Sequence, residues 1–142
     1  MTPPAAVIDT NVMISGLITV ESRSPTAMIL DAMLAGGFTY LLSLDLLAEY
    51  RTVLLRPSIR QRHGLADAGV ETILTELAMN GTVHEPVSSG EELDDAADRH
   101  LWALLDDVPA AVLVTGDDRL RRRAPDPARV MTPRQFVARL AS

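Results

Sequence analysis

The segment Ala110-Ala111-Val112-Leu113-Val114-Thr115 constrains this chain more than any other feature. It is uncharged and shows no apolar/polar alternation, so as a strand it must be covered on both faces, as central strands of parallel sheets are. It stops abruptly at Gly116-Asp117-Asp118. A shorter apolar run, Ala5-Ala6-Val7-Ile8, stops in the same way at Asp9-Thr10-Asn11 and resumes as Val12 to Leu17. That pattern reads as a buried strand, a polar turn and a helix start.

Helical and strand signals alternate between and after these runs. Ser24-Pro25 supplies an N-cap with proline at the first helical position, and the helix it opens stops at Gly36-Gly37. Phe38 to Leu42 reads as a strand, and Ser43 then caps a helix over Leu44 to Leu55 that Pro57 terminates. Ile59 to Asn80 reads as one or two helices broken near His63-Gly64, with Gly81 to His84 as a short strand behind them. Glu91 to Leu105 carries an apolar stripe at helical spacing, closed by Pro109. Val130-Met131-Thr132 reads as the last strand, followed by a helix over Pro133 to Leu140. Strands separated by helices throughout predict a three-layer α/β/α fold. Its central, mostly parallel sheet has four to five strands, with helices on both faces. With 142 residues, 47% of them hydrophobic, and no repeat or linker, residues 1–142 are expected to form a single domain.

Composition removes several chemistries. There is no cysteine, so disulfides, thiolate metal sites and cysteine nucleophiles are excluded. All 13 basic residues are arginine, which excludes a P-loop lysine, a Schiff base, and the lysine that a phosphate-signalling receiver domain places opposite its aspartate. No window approaches a membrane span, and no signal-peptide pattern opens the chain, so a soluble cytoplasmic protein without membrane contact is expected. The net charge of −6 is unfavourable for binding nucleic acid. Its distribution is uneven, however: Glu85 to Asp107 is strongly acidic, whereas Arg119 and Arg121 to Arg123, then Arg129, Arg134 and Arg139, make the C-terminal part basic.

In open parallel sheets, ligands bind beyond the carboxyl ends of the strands where strand order reverses. Asp9 and Asp117 leave that rim if their strands are neighbours. Paired carboxylates at such a rim repel unless a cation neutralises them or one takes up a proton. A hard ion such as Mg²⁺, which accepts a sparse oxygen set and keeps several waters, is the natural occupant. Each aspartate alone is equally well explained as a turn or helix cap. Glu49 borders the buried face of its helix among Leu46, Leu47, Val53 and Leu54, where a glutamate is costly unless paired or coordinated, but read alone it is better taken as a solvent-facing acid paired with Arg51, Arg56 or nothing. Asp98 cannot be separated by composition from Asp94 and Asp95.

The ordered set is more specific than its members. Val7-Ile8-Asp9-Thr10-Asn11-Val12 resembles the opening "DTN" motif of PIN domains. Ser43 to Leu54 resembles the second motif, a serine ahead of a helix bearing a glutamate, here Glu49. Asp98 with Arg99-His100-Leu101 resembles the third, and Val114-Thr115-Gly116-Asp117 the closing "TGD". The chain is most similar to the bacterial and archaeal toxin-component group related to VapC-type ribonuclease toxins. Two departures stand out. The usual Pro-Asp-Asp-like turn of the third motif is replaced by Glu92-Leu93-Asp94-Asp95-Ala96-Ala97-Asp98, so a shift to Asp94 or Asp95 stays open. Some relatives carry a further acid where this chain has Arg119, with Asp118 beside it as an additional candidate ligand.

The resemblance implies a Mg²⁺- or Mn²⁺-dependent endoribonuclease with Asp9, Glu49, Asp98 and Asp117 as the catalytic, metal-holding carboxylates. It also implies RNA as substrate, an antitoxin partner and a homodimer. Thr10, Asn11, Ser43 and Thr115 stand beside the proposed ligands and can orient water or phosphate, or serve as caps. Arg119, Arg121 and Arg122, with Arg123, are the expected contacts to the RNA backbone. Two alternatives share the motifs: a catalytically degenerate PIN-fold binding module, and a metal-dependent phosphoesterase acting on DNA or small molecules.

Overall fold

The computed structural model describes residues 3–87 and 98–141. In chain order its elements are β1 (Ala6–Ile8), α1 (Thr10–Ile18), α2 (Pro25–Leu34), β2 (Leu41–Leu42), α3 (Leu44–Leu54), α4 (Pro57–His63), α5 (Asp67–Asn80) and β3 (Thr82–Val83). After the undescribed segment come α6 (Arg99–Asp107), β4 (Val112–Val114), α7 (Asp118–Arg123), a short 3-10 turn (Pro127–Arg129), β5 (Val130–Met131) and α8 (Pro133–Ala141). The expected helix over Glu91 to Leu105 is described only from its second half, since 91–97, with Asp94 and Asp95, lie outside the described residues.

Local signals set most boundaries. The Ser24 side chain accepts from Ala27 N and Pro25 takes the first helical position, while Ser43 Oγ accepts from Leu46 N at 3.0 Å. The break near His63 is real: Gly64 ends α4 in the left-handed region at φ 68, where a Cβ is strained. Thr132 and Gln135 form a capping box that opens α8, each side chain accepting from the other's backbone N–H.

Every strand pairing is parallel, and the order is β1-β4-β5 in one sheet and β2-β3 in another. The five strands expected at most are therefore present, divided into two ladders that touch at one bridge, Ala6 with Tyr40. The division has a local cause. Backbone groups facing β2 alternate along β1, so the next acceptor after Ala6 is Ile8 O, and the buried Tyr50 hydroxyl donates to it at 2.5 Å. A side chain on α3 thus takes the place of the ladder, and the long strand expected over Phe38 to Leu42 shortens to Leu41–Leu42.

Ala6, Val7 and Ile8 are all 0% exposed. Because successive strand residues point to opposite faces, complete burial of all three means both faces are covered, which is the expected three-layer α/β/α arrangement. The apolar core is contiguous from β1 and β4 through Met13, Met33, Tyr40, Leu46, Leu77, Leu101 and Phe136. Neighbouring β1 and β4 are reached from opposite directions in the strand order, so the rim beyond their carboxyl ends is the switch point of the sheet.

Candidate active site

β1 and β4 are in register with Val7 opposite Leu113 and Ile8 opposite Val114, so Asp9 and the Thr115-Gly116-Asp117 turn leave the sheet side by side. Asp9 N donates to Val114 O at 3.0 Å, the last bond of the ladder. Thr115, wholly buried, then bridges the two acids: its hydroxyl donates to Asp9 Oδ2 at 2.7 Å and accepts from Asp117 N at 3.0 Å. Asn11 braces the same gap, with Nδ2 donating to Asp9 Oδ2 at 3.2 Å and Oδ1 accepting from Gly116 N at 3.4 Å. Asp9 also caps α1 through Oδ1, which accepts from Thr10 N at 2.8 Å, and Asp117 caps α7 by accepting from Arg119 N at 2.9 Å. Cap and site are therefore compatible roles for the same carboxylates, not rival explanations.

Glu49 faces this rim from α3. Its Oε2 accepts a short hydrogen bond from the Thr10 hydroxyl and lies 3.7 Å from His100 Nε2. Arg51, its conceivable surface partner, instead forms a two-pronged pair with Glu71 on α5. Asp98 immediately precedes α6 and lines the same open cleft as Asp9, Glu49 and Asp117, a space of about 610 Å³. The structure thus gathers the four carboxylates from four separate parts of the chain.

The electrostatics are those of concentrated negative charge. Burial pushes the Asp9 carboxyl up, the Thr115 hydroxyl and Thr10 amide pull it down, and the charges of Glu49 and Asp117 add to the upward push. Glu49 is held low, first by His100 and then by the Thr10 hydroxyl, against the opposing effect of burial. Burial disfavours the His100 imidazolium, but Glu49, with Asp45 and Asp9 behind it, outweighs that and raises its pKa.

Among the described residues, no three acidic or histidine side chains converge tightly enough to form a closed metal cage. The donor set nevertheless fits a hard divalent ion. It consists of carboxylate oxygens at an open rim, with excess negative charge, and it suits an ion that keeps most of its water. Asp9 and Asp117 are the residues placed to hold it, flanked by Glu49 and Asp98.

The other expected residues are placed as follows. Thr10 and Asn11 line the cleft, with polar groups already engaged by Glu49 and Asp9. Ser43 is 1% exposed, caps α3 and does not line the cleft. Asp118 is drawn to Arg121, which lowers its pKa, and lies outside the cleft lining. Arg119 Nε stands 4.0 Å from Asp117 Oδ1, whereas Arg119, Arg121 and Arg122 all lie outside the cleft lining. Arg129 is removed from the basic patch altogether, because its guanidinium donates to the carbonyls of Leu105, Val108 and Ala111.

Three features escaped the sequence reading. His100 stands two residues past Asp98, a spacing that could have marked it as a neighbour of the site. Tyr50, next to Glu49, holds the end of β1 from within the core. Arg56 and Arg62 line the cleft, although neither belongs to a run of basic residues.

The fold and the site together define a parallel α/β domain with a carboxylate cluster at the switch point of its sheet. A family model described as PIN domain matches residues 5–119, well over half of the chain, and the protein belongs to the PIN-domain family. That family is in general one of nucleases, and its members typically use divalent metal ions. The match ends just past Asp117; beyond it β5 completes the sheet and α8 packs against α2 and β5. No curated protein matches the chain. Among the described residues no helix is long and apolar enough to cross a membrane.

Proposed function

We propose that the protein is a Mg²⁺- or Mn²⁺-dependent endoribonuclease and the toxin component of a toxin–antitoxin pair, akin to VapC-type toxins. The observation that carries the nuclease reading is the meeting of Asp9, Glu49, Asp98 and Asp117 in one open cleft at the switch point. Asp9 and Asp117 would hold the ion, and Thr115 and Asn11 fix the spacing between them. A divalent ion held there would supply an activated water and offset charge on the phosphate. Glu49, kept ionised by His100 and anchored by Thr10, and Asp98 flank the position of the phosphodiester. The reaction adds water across the P–O bond, leaving phosphate on one fragment and a hydroxyl on the other. An antitoxin that covers the cleft, and a homodimer in the cytoplasm, complete the reading by resemblance to the toxin group.

The test is cleavage of a mixed single-stranded RNA with Mn²⁺ or Mg²⁺, against an EDTA control and the Asp9→Asn variant. Removing one ligand costs several kcal/mol of charge stabilisation, which corresponds to about 10²–10³ in rate. Metal-dependent cutting that Asp9→Asn lowers to that degree supports the nuclease. No cutting by any preparation, with no metal bound in calorimetry, points instead to the binding module.

A further inference from the structure

The cleft has a second wall that the carboxylate chemistry does not use. Arg56, Ile59 and Arg62 recur every third residue at the start of and along α4, which packs on α1 and α3, and all three line the cleft. Ile18 from α1 and Val53 from α3, both half-buried, lie with them. Side chains three apart share a helix face, so Ile59 and Arg62 stand on one side of α4, with Arg56 ahead of them at its N-cap.

Among the described residues, Arg56 and Arg62 are the arginines that line this cleft. Arg51 is paired with Glu71, Arg60 with Asp67 and Arg121 with Asp118. Among the described residues neither Arg56 nor Arg62 forms an ion pair, although both border a pocket that contains four carboxylates. Arg56 is still near enough to Glu49 to help hold its pKa down. The end of the helix that carries them is braced by His63, whose Nε2 donates to Leu54 O at 2.9 Å and whose Nδ1 accepts from Leu65 N at 2.9 Å. The wall is therefore positively charged and aliphatic, and it lines the same cleft as the carboxylate rim.

We propose that this wall is a nucleotide subsite for single-stranded RNA, with Arg56 and Arg62 holding backbone phosphate and Ile18, Val53 and Ile59 receiving an unstacked base. The proposal rests on the ribonuclease reading for its substrate class. A duplex offers its phosphates but hides its base faces, so only a single strand can use both halves of the wall. Aromatic stacking is not the means of holding the base. Phe38, Tyr40, Tyr50, Trp102 and Phe136, which are all the aromatic residues of the chain, are buried in the core. Aliphatic contact discriminates poorly among bases, so the subsite selects strandedness more than sequence.

The experiment is fluorescence anisotropy with a labelled 12-nucleotide RNA in Ca²⁺, which occupies oxygen sites while Mg²⁺ and Mn²⁺ are withheld. The protein is compared with Arg56→Gln/Arg62→Gln over a salt series, and each is also tested with the same strand annealed to its complement. Both arginines are exposed, and a thermal melt confirms that the double variant is folded. Each lost phosphate contact on a single strand flattens the log K against log [salt] slope by about 0.7, so the double variant should lose about 1.4. The expected result is that change in slope, with at least about tenfold weaker single-strand binding, and single strand preferred over duplex by the unmodified protein. An unchanged slope with affinity within twofold, or equal binding of duplex and single strand, overturns the subsite. RNA cleavage is scored separately. A protein that binds as expected but never cuts refutes the nuclease and leaves the subsite, and one that cuts but shows no change in slope does the reverse.

Discussion

Thr115→Val isolates the group that couples the two rim aspartates. The change keeps shape and removes only a hydroxyl that donates to Asp9 Oδ2 at 2.7 Å and accepts from Asp117 N at 3.0 Å. The bond to an ionised acceptor is worth about 1.5–3 kcal/mol, and the neutral one about 0.5–1.5 kcal/mol. Water can reach Asp117, whose side chain is 34% exposed, and replace part of the second bond, whereas Thr115 itself is 0% exposed and its position admits none. A net cost of about 2–3 kcal/mol follows, which for a chain of this size lowers Tm by roughly 6–10 °C. The same hydroxyl is a lowering influence on the Asp9 carboxyl, so its loss makes Asp9 a poorer anion and loosens the spacing between the ligands. Divalent-ion affinity should fall about 10–100-fold, the usual effect of removing a partner that orients a ligand. Differential scanning calorimetry in EDTA and a Mn²⁺ titration measure the two effects, and Thr115→Ser, which keeps the hydroxyl, should recover most of both. A Thr115→Val protein that melts within 2 °C of the parent (about 0.5 kcal/mol) and binds Mn²⁺ equally well would refute the coupling.

Three further outcomes are expected. Arg129→Lys should lose about 2 kcal/mol in urea unfolding, because a single ammonium cannot reach the carbonyls of Leu105, Val108 and Ala111 together; an unchanged midpoint would remove the clamp between α6 and β4. Gly16→Ala should destabilise by about 1–3 kcal/mol despite the better helix propensity of alanine, since the added Cβ would stand 2.4 Å from the fixed Thr26 carbonyl oxygen, and a stabilised variant would show that α1 and α2 can part freely. At high pH the buried tyrosines should limit the fold. Burial raises Tyr40 from 10.0 to about 12 and holds Tyr50 well above 10.0, so the stability that comes from keeping them protonated is complete below pH 10, and the Tyr40 share is lost as pH rises through about 12. Tyrosinate absorbance should therefore appear together with loss of circular dichroism, and ionisation of a folded protein near pH 10 would contradict the burial.

Much of this molecule is written locally. A strand covered on both faces has to be apolar throughout, so Val112 to Val114 and Ala6 to Ile8 announce themselves, and the aspartates that end them mark the rim. Caps and breakers act within one helical turn, which is why Ser24-Pro25, Ser43 and His63-Gly64 placed their boundaries. The order of four motifs was enough to identify the PIN family. Tertiary structure alone decided everything that depends on what two distant segments present to each other. Whether Asp9 and Asp117 are neighbours is settled by the β1–β4 register, and whether Glu49 meets Arg51 or His100 by the packing of α3 against α5 and α6. The arginines show the same division most sharply. Sequence sees only density, and density pointed to 119–123, but a guanidinium is long and takes whatever acceptor the fold brings within reach. Asp118 and three backbone carbonyls claimed Arg121 and Arg129, leaving the scattered Arg56 and Arg62 on the wall of the cleft.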